Sequence, residues 1–242
     1  MNGVLALDRV SIVLVRTSHP GNIGASARAM KAMGLSRLVL VAPQSFPDPV
    51  ADARASGAGD LLAGARVVGA LEEALRGTTL SAAITARRRE RSVPVKHARE
   101  AASELLGHAE HGDVALVFGT ETSGLSNDEV ALCSMPVCIP TNPGFSSLNL
   151  GAAVQVMSYE LRMAALAPSA PLPVQSELAA FEDIEGFHAH LERAMTASGF
   201  YDPANPKRLL PRLRRLFGRT RLEREEVNIL RGILGALERK PD

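Results

Sequence analysis

SIVLVRTSHPGNIGASARAMKAM, residues 11–33, changes its period halfway along. Its opening, Ser11–Val15, is a nearly unbroken apolar run of the kind that fills a parallel strand covered on both faces. A polar turn follows, and the alanine-rich spacing from Ile23 to Met33 predicts a helix. Gly21 and Gly24 suggest a sharp turn that lets backbone approach a ligand, and Asn22 suits the N-cap of the helix.

The same alternation recurs further along the chain. Apolar runs at Arg37–Val41, Arg66–Val68, Leu80–Thr85, Val114–Phe118 and Pro136–Ile139 predict strands. Helical spacing marks Leu71–Leu75, His97–Leu106 and Leu150–Ala167. Strands alternating with helices at these distances predict an α/β domain with a parallel sheet, spanning residues 1–167. Composition shifts at Pro168, where PSAPLPVQ carries three prolines, so residues 168–176 form an extended linker. Beyond it the strand signal ends. Glu177–Ser198, Pro206–Phe217 and Glu223–Arg239 carry helical spacing, which makes residues 177–242 an α-helical extension.

Of the 242 residues 46% are hydrophobic and 22% charged, a balance that excludes disordered and collagen-like classes. The net charge is +1, so nucleic acid would have to be held by local basic patches. One such patch runs from Lys207 to Arg221, with seven basic residues (among them Arg208, Arg212, Arg214 and Arg215) and no acid. A solvated helix face is the plain explanation, and a phosphate-binding surface is its rival. A second cluster, Arg87, Arg88, Arg89 and Arg91, directly follows a strand, where parallel sheets bind their ligands.

Several chemistries find no support. Gly-Lys never occurs, which removes a P-loop, and Leu62 stands where a dinucleotide fingerprint starting at Gly57 needs glycine. No Gly-x-Ser-x-Gly elbow and no His-Glu-x-x-His helix exist, so hydrolase triads and metal sites are not expected. His108 and His111 read as an exposed helix end. Cys133 and Cys138 make no disulfide framework, which suits the cytoplasm. The long uncharged run Val130–Tyr159 is broken by prolines and asparagines, so no membrane span is expected. Aromatic residues at 4% disfavour an extended base-stacking platform.

Three polar loops after three strands remain, and together they build one crevice. The first is Thr17–Arg28. The second is Phe118-Gly119-Thr-Glu121-Thr-Ser-Gly124-Leu. The third is Ile139-Pro-Thr-Asn-Pro-Gly-Phe-Ser146-Ser147-Leu148-Asn149-Leu150. In order and spacing they resemble the three motifs of the SPOUT methyltransferases. The opening Ser11–Asn22 and the ending Leu213–Leu234 are similar to the TrmJ group within that superfamily.

The resemblance implies a SPOUT-type knotted parallel sheet, a trefoil knot in the carboxyl-terminal part of the domain, and a homodimer. It implies S-adenosylmethionine as cofactor, without a metal, and 2′-O-methylation of the ribose of nucleotide 32, cytidine or uridine, in the tRNA anticodon loop. Donor-binding positions would be Thr85, Ala86, Gly119, Glu121, Gly124, Ile139, Ser146, Ser147, Leu148 and Asn149. Arg28, Asn22 and Ser147 would be catalytic. Arg87, Arg88, Lys207, Arg208, Arg212, Arg214 and Arg215 would contact RNA. A guanidinium holds its proton far above neutral pH, so Arg28 is better read as an electrostatic stabiliser than as a base. Ribosomal RNA methylation by the same fold, or a non-catalytic RNA-binding dimer module, are the alternatives.

Overall fold

A computed structural model describes residues 2–86, 95–167 and 177–238. The chain divides into two compact units, Met1–Leu172 and Pro173–Asp242. The linker expected at residues 168–176 lies outside the described residues.

The first unit opens with helix α1 (Asn2–Ala6) and strand β1 (Val10–Val15). There follow α2 (Pro20–Met33), β2 (Arg37–Val41), α3 (Pro49–Ala55), α4 (Gly59–Ala63), β3 (Arg66–Val68), α5 (Leu71–Leu75) and β4 (Thr78–Ile84). The unit continues through β5 (Lys96–His97), α6 (Ala98–Ala109), β6 (Asp113–Phe118), α7 (Asn127–Leu132), β7 (Met135–Cys138) and α8 (Leu150–Leu166). Seven strands make one sheet in the order β3-β2-β1-β6-β4-β7-β5, every pairing parallel. Ile12–Val15 and Val114–Val117 are fully buried along their length, which is why these strands read as unbroken apolar runs. Helix α8 packs against α2 and α6, and α2 also packs against α3.

Four expectations need correction. Helix α2 starts at Pro20, not Ile23, and its N-cap is His19, whose Nδ1 accepts the Gly21 N–H at 3.0 Å. Proline suits the first helical position, where its missing N–H would be unpaired anyway, so the imidazole does the capping and Asn22 is released for another task. Gly24 lies within α2 and serves packing: a Cβ there would stand 2.1 Å from the Ala51 carbonyl oxygen of α3. His108 is buried at the end of α6, not exposed, and burial followed by the nearby positive charges pushes its pKa down.

The second unit holds α9 (Phe181–Ala197), α10 (Leu209–Thr220) and α11 (Arg224–Glu238). Its own core is built on Phe187, Leu222 and Val227, with Phe217 set edge-on to Phe187 at 4.8 Å between centroids. His188 lies beside them; burial, and then the Arg214 charge, hold its pKa at about 4, so it stays neutral. No helix among the described residues is long and apolar enough to cross a membrane.

Candidate active site

The carboxyl ends of β4, β6 and β7 open onto a cavity of about 310 Å³. A parallel sheet places its ligand crevice at this edge, because the polar loops leave the strands there. Thr85 and Ala86 form one wall, the loop 119–125 a second, and Ile139 with Ser146, Ser147 and Leu148 a third. Of the residues assigned to the donor from sequence, only Asn149 does not line the cavity.

The loop after β6 is folded tightly on itself. Gly124 N–H donates to the Thr120 carbonyl at 2.9 Å, and Gly124 takes a left-handed φ of 69°. Gly119 sits so close to this return that a Cβ would lie 2.1 Å from the Gly124 carbonyl carbon. Glycine at this position is demanded by the close approach of loop to loop.

Glu121 anchors the neighbouring loops. The backbone N–H and the hydroxyl of Ser18 donate to its Oε2 at 3.0 and 2.9 Å. The His19 N–H and the Asn22 side-chain amide donate to Oε1 at 3.2 and 2.9 Å. Asn22 in turn accepts from Asn149 Nδ2 at 2.9 Å, while Asn149 Oδ1 caps α8 by accepting from Gly151 N. Burial raises the Glu121 carboxyl, but the hydrogen bonds from Asn22 and Ser18 outweigh it and bring its pKa to about 2. Such a group is ionised at neutral pH and useless as a proton acceptor there. It fixes the loops and leaves a permanent negative charge in the cavity wall.

The proposed catalytic residues are dispersed. Ser147 is exposed and lines the cavity. Both ends of the Asn22 amide are engaged between loops, so Asn22 ties the site together. Arg28 lies on α2 outside the cavity lining, exposed, six residues beyond Asn22 and so about 9 Å along the helix axis. Among the described residues no group of His, Cys, Asp and Glu side chains is placed to hold a metal.

The basic positions fall in two places. Arg87, Arg88, Arg89 and Arg91 lie outside the described residues. In the second unit Lys207, Arg208 and Arg212 are exposed, Arg215 is half-buried, and Arg214 is held in a two-pronged pair with Glu185, one prong 2.7 Å long. The residues that sequence reading missed are Ser18, His19 and the Arg16–Glu129 pair, which fastens the start of α7 to the end of β1. The one local signal for any of them is the capping signature Ser126-Asn-Asp-Glu129, in which Ser126 Oγ accepts from Glu129 N at 3.2 Å.

The comparisons with known proteins agree along the chain. Residues 9–159 match the SpoU rRNA methylase family, and residues 182–242 match the C-terminal domain of the tRNA methyltransferase TrmJ. The tRNA (cytidine/uridine/adenosine-2′-O-)-methyltransferase TrmJ of Pseudomonas aeruginosa is 52% identical over 239 residues, covering 94% of this chain and 93% of the relative. The tRNA (cytidine/uridine-2′-O-)-methyltransferase TrmJ of Pectobacterium atrosepticum is 46% identical, with 98% and 99% covered. The crystal structure of TrmJ from Z. mobilis superposes with a TM-score of 0.83 at 35% identity, covering 95% of this chain and 99% of that one. With one motif-bearing sheet and one helical unit each matched in turn, the chain belongs to the SpoU methylase family and, within it, to the TrmJ branch of tRNA methyltransferases.

Proposed function

We propose that this chain methylates the ribose 2′-hydroxyl of nucleotide 32, cytidine or uridine, in the tRNA anticodon loop, using S-adenosylmethionine, as a cytoplasmic homodimer whose catalytic domain is knotted as in other SPOUT proteins. The observation that carries this reading is the cavity walled by the second and third motif loops and the end of β4, with the first motif loop tied to it through Glu121, in a chain similar to TrmJ over nearly its whole length.

The cavity's chemistry suits the donor. Ile84, Ile139 and Leu148 offer apolar walls for a flat base. Loop backbone and the hydroxyls of Thr141, Ser146 and Ser147 offer polar partners, and the fixed Glu121 charge favours a cation. When bound, S-adenosylmethionine supplies an electrophilic methyl group on a sulfonium centre. Glu121, Asn22 and Asn149 tie the first motif loop to the two loops that would surround it. Ser147 faces the space where acceptor and donor meet, and the Arg28 guanidinium binds phosphate and stabilises the negative charge that grows on the ribose oxygen. Neither arginine nor a carboxylate of pKa about 2 takes the hydroxyl proton, so that proton passes to solvent water.

An exposed apolar patch supports the homodimer. Tyr159, Met163 and Leu166 recur at helical spacing on α8, exposed by 46, 38 and 55%, and α1, which packs on α8, adds Leu5 at 66%. Light scattering should give twice the mass of the 25.7 kDa chain, and Met163→Glu with Leu166→Glu should bring it to a single chain.

Incubation of tRNA with isotopically labelled donor, followed by nuclease digestion and mass spectrometry, tests the reaction. Label is expected on the 2′-oxygen of nucleotide 32. Label at another nucleotide, or only in ribosomal RNA, overturns the assignment. A second measurement probes the donor loop. Gly119→Ala should destabilise the domain by roughly 1–3 kcal/mol, since backbone must move to admit the methyl group, and calorimetry should show donor binding lost. Wild-type donor affinity in that variant would show that the cavity is not the donor site.

A further inference from the structure

Phe145 is 77% exposed, in a unit whose cavity-lining aromatic, Phe118, is buried. Its exposure is built in. The backbone turns at Asn142–Phe145, where Phe145 N–H donates to the Asn142 carbonyl at 2.9 Å and Gly144 N–H to the Asn142 side-chain oxygen at 2.9 Å. Pro143 stiffens the turn further. Both feet of the turn stand in the cavity wall: Thr141 on one side and Ser146 on the other line it, and the Thr141 hydroxyl reaches the Ser146 carbonyl at 3.4 Å. The turn is therefore a rigid post on the rim, holding an aromatic ring out to solvent.

We infer that Phe145 is a base-stacking anchor, taking one base of the RNA loop whose ribose is methylated. The inference rests on the reading of the chain as a tRNA-loop ribose methyltransferase. A methyl group passes only between atoms held about 3–3.5 Å apart, so the acceptor ribose must enter the cavity mouth. Its own base and those of its neighbours then lie within a nucleotide's reach of the rim. Bases in a single-stranded loop are unpaired and present π-faces, and aromatic side chains are their usual partners. A backbone turn fixed in advance leaves only the two side-chain torsions of Phe145 to be ordered when the ring stacks. The scarcity of aromatic residues that argues against an extended platform leaves room for this single one.

The test uses the full chain with S-adenosylhomocysteine and an RNA hairpin carrying the anticodon stem and loop. Phe145→Ala and Phe145→Leu should each weaken hairpin binding roughly 5- to 100-fold, while Phe145→Trp keeps it. S-adenosylhomocysteine affinity and molar mass should not change in any variant. Hairpins with one loop base removed at a time should identify a position whose loss weakens the wild type but not Phe145→Ala. Wild-type affinity in Phe145→Leu would reduce the role to apolar contact and overturn the stacking assignment. A lowered mass would make Phe145 a subunit contact, and equally weakened donor binding would make it a pocket wall; either overturns it. A wild-type chain inactive on tRNA defeats the parent reading instead, whereas an active wild type with an undisturbed alanine variant defeats only this one.

Discussion

Arg28→Ala is expected to lower tRNA methylation by at least about 100-fold, while donor affinity stays within about twofold of wild type. The two readouts separate because Arg28 is exposed on α2 and takes no part in lining the cavity, whereas every wall of the cavity comes from other elements. The Glu121 network is made by Ser18, His19 and Asn22 without it, so its removal leaves those hydrogen bonds standing. Arg28→Lys should recover only part of the loss, because an ammonium keeps the charge and loses the planar fork that grips two oxygens. Rates with single-turnover tRNA and calorimetry with S-adenosylhomocysteine are the measurements. An equal fall in both would move Arg28 to the donor side.

Removing everything after Ala167 should leave the sheet unit folded and able to bind donor, yet bind tRNA far more weakly. The two units are compact separately, and the helical one carries its own apolar core around Phe187, Leu222 and Val227. Its basic face supplies Lys207, Arg208 and Arg212 to solvent. For every phosphate that the truncated chain no longer neutralises, the dependence of log affinity on log salt should flatten by about one unit. Charge reversal at Lys207, Arg208 and Arg212 should give a milder form of the same effect. Arg214 is a poor choice for that variant, since reversing it would place like charges against Glu185 inside the helical unit. A truncated chain with unchanged affinity and salt slope would show that the basic run is merely solvated.

The central strands were legible because they are buried on both faces, so their residues Ile12–Val15 and Val114–Val117 had no polar alternation to confuse the period. Short elements were not. Helix α3 hides in a proline-rich stretch and exists because Asp48 caps it, accepting from Val50 N at 2.8 Å. Strand β5 is two residues defined only by pairing of Lys96 and His97 with β7. Helix α7 is held by a capping box that the surrounding polar loop disguised. At the site, the motif residues were visible as residue types, but their bonds were not. Ser18, Asn22 and Asn149 meet Glu121 or one another across about a hundred positions of chain, and no local pattern encodes such a meeting. His19 takes the cap that Asn22 was expected to provide, a choice decided by Pro20 and then by the distant carboxylate.

The Glu121–Asn22–Asn149 chain of hydrogen bonds also sets the order of events as the protein is made. Asn22 and Asn149 are 127 positions apart, and Asn149 is the last of the three to leave the ribosome. Contacts of such separation form late, after the local helices have settled and loop closure has been accepted. A nascent chain can thus raise β1, α2 and even β6 while Asn22 still lacks its bond from Asn149. The groove comes into being only when α8 arrives with Asn149 at its head, so an unfinished polypeptide has no working groove with which to capture donor or RNA.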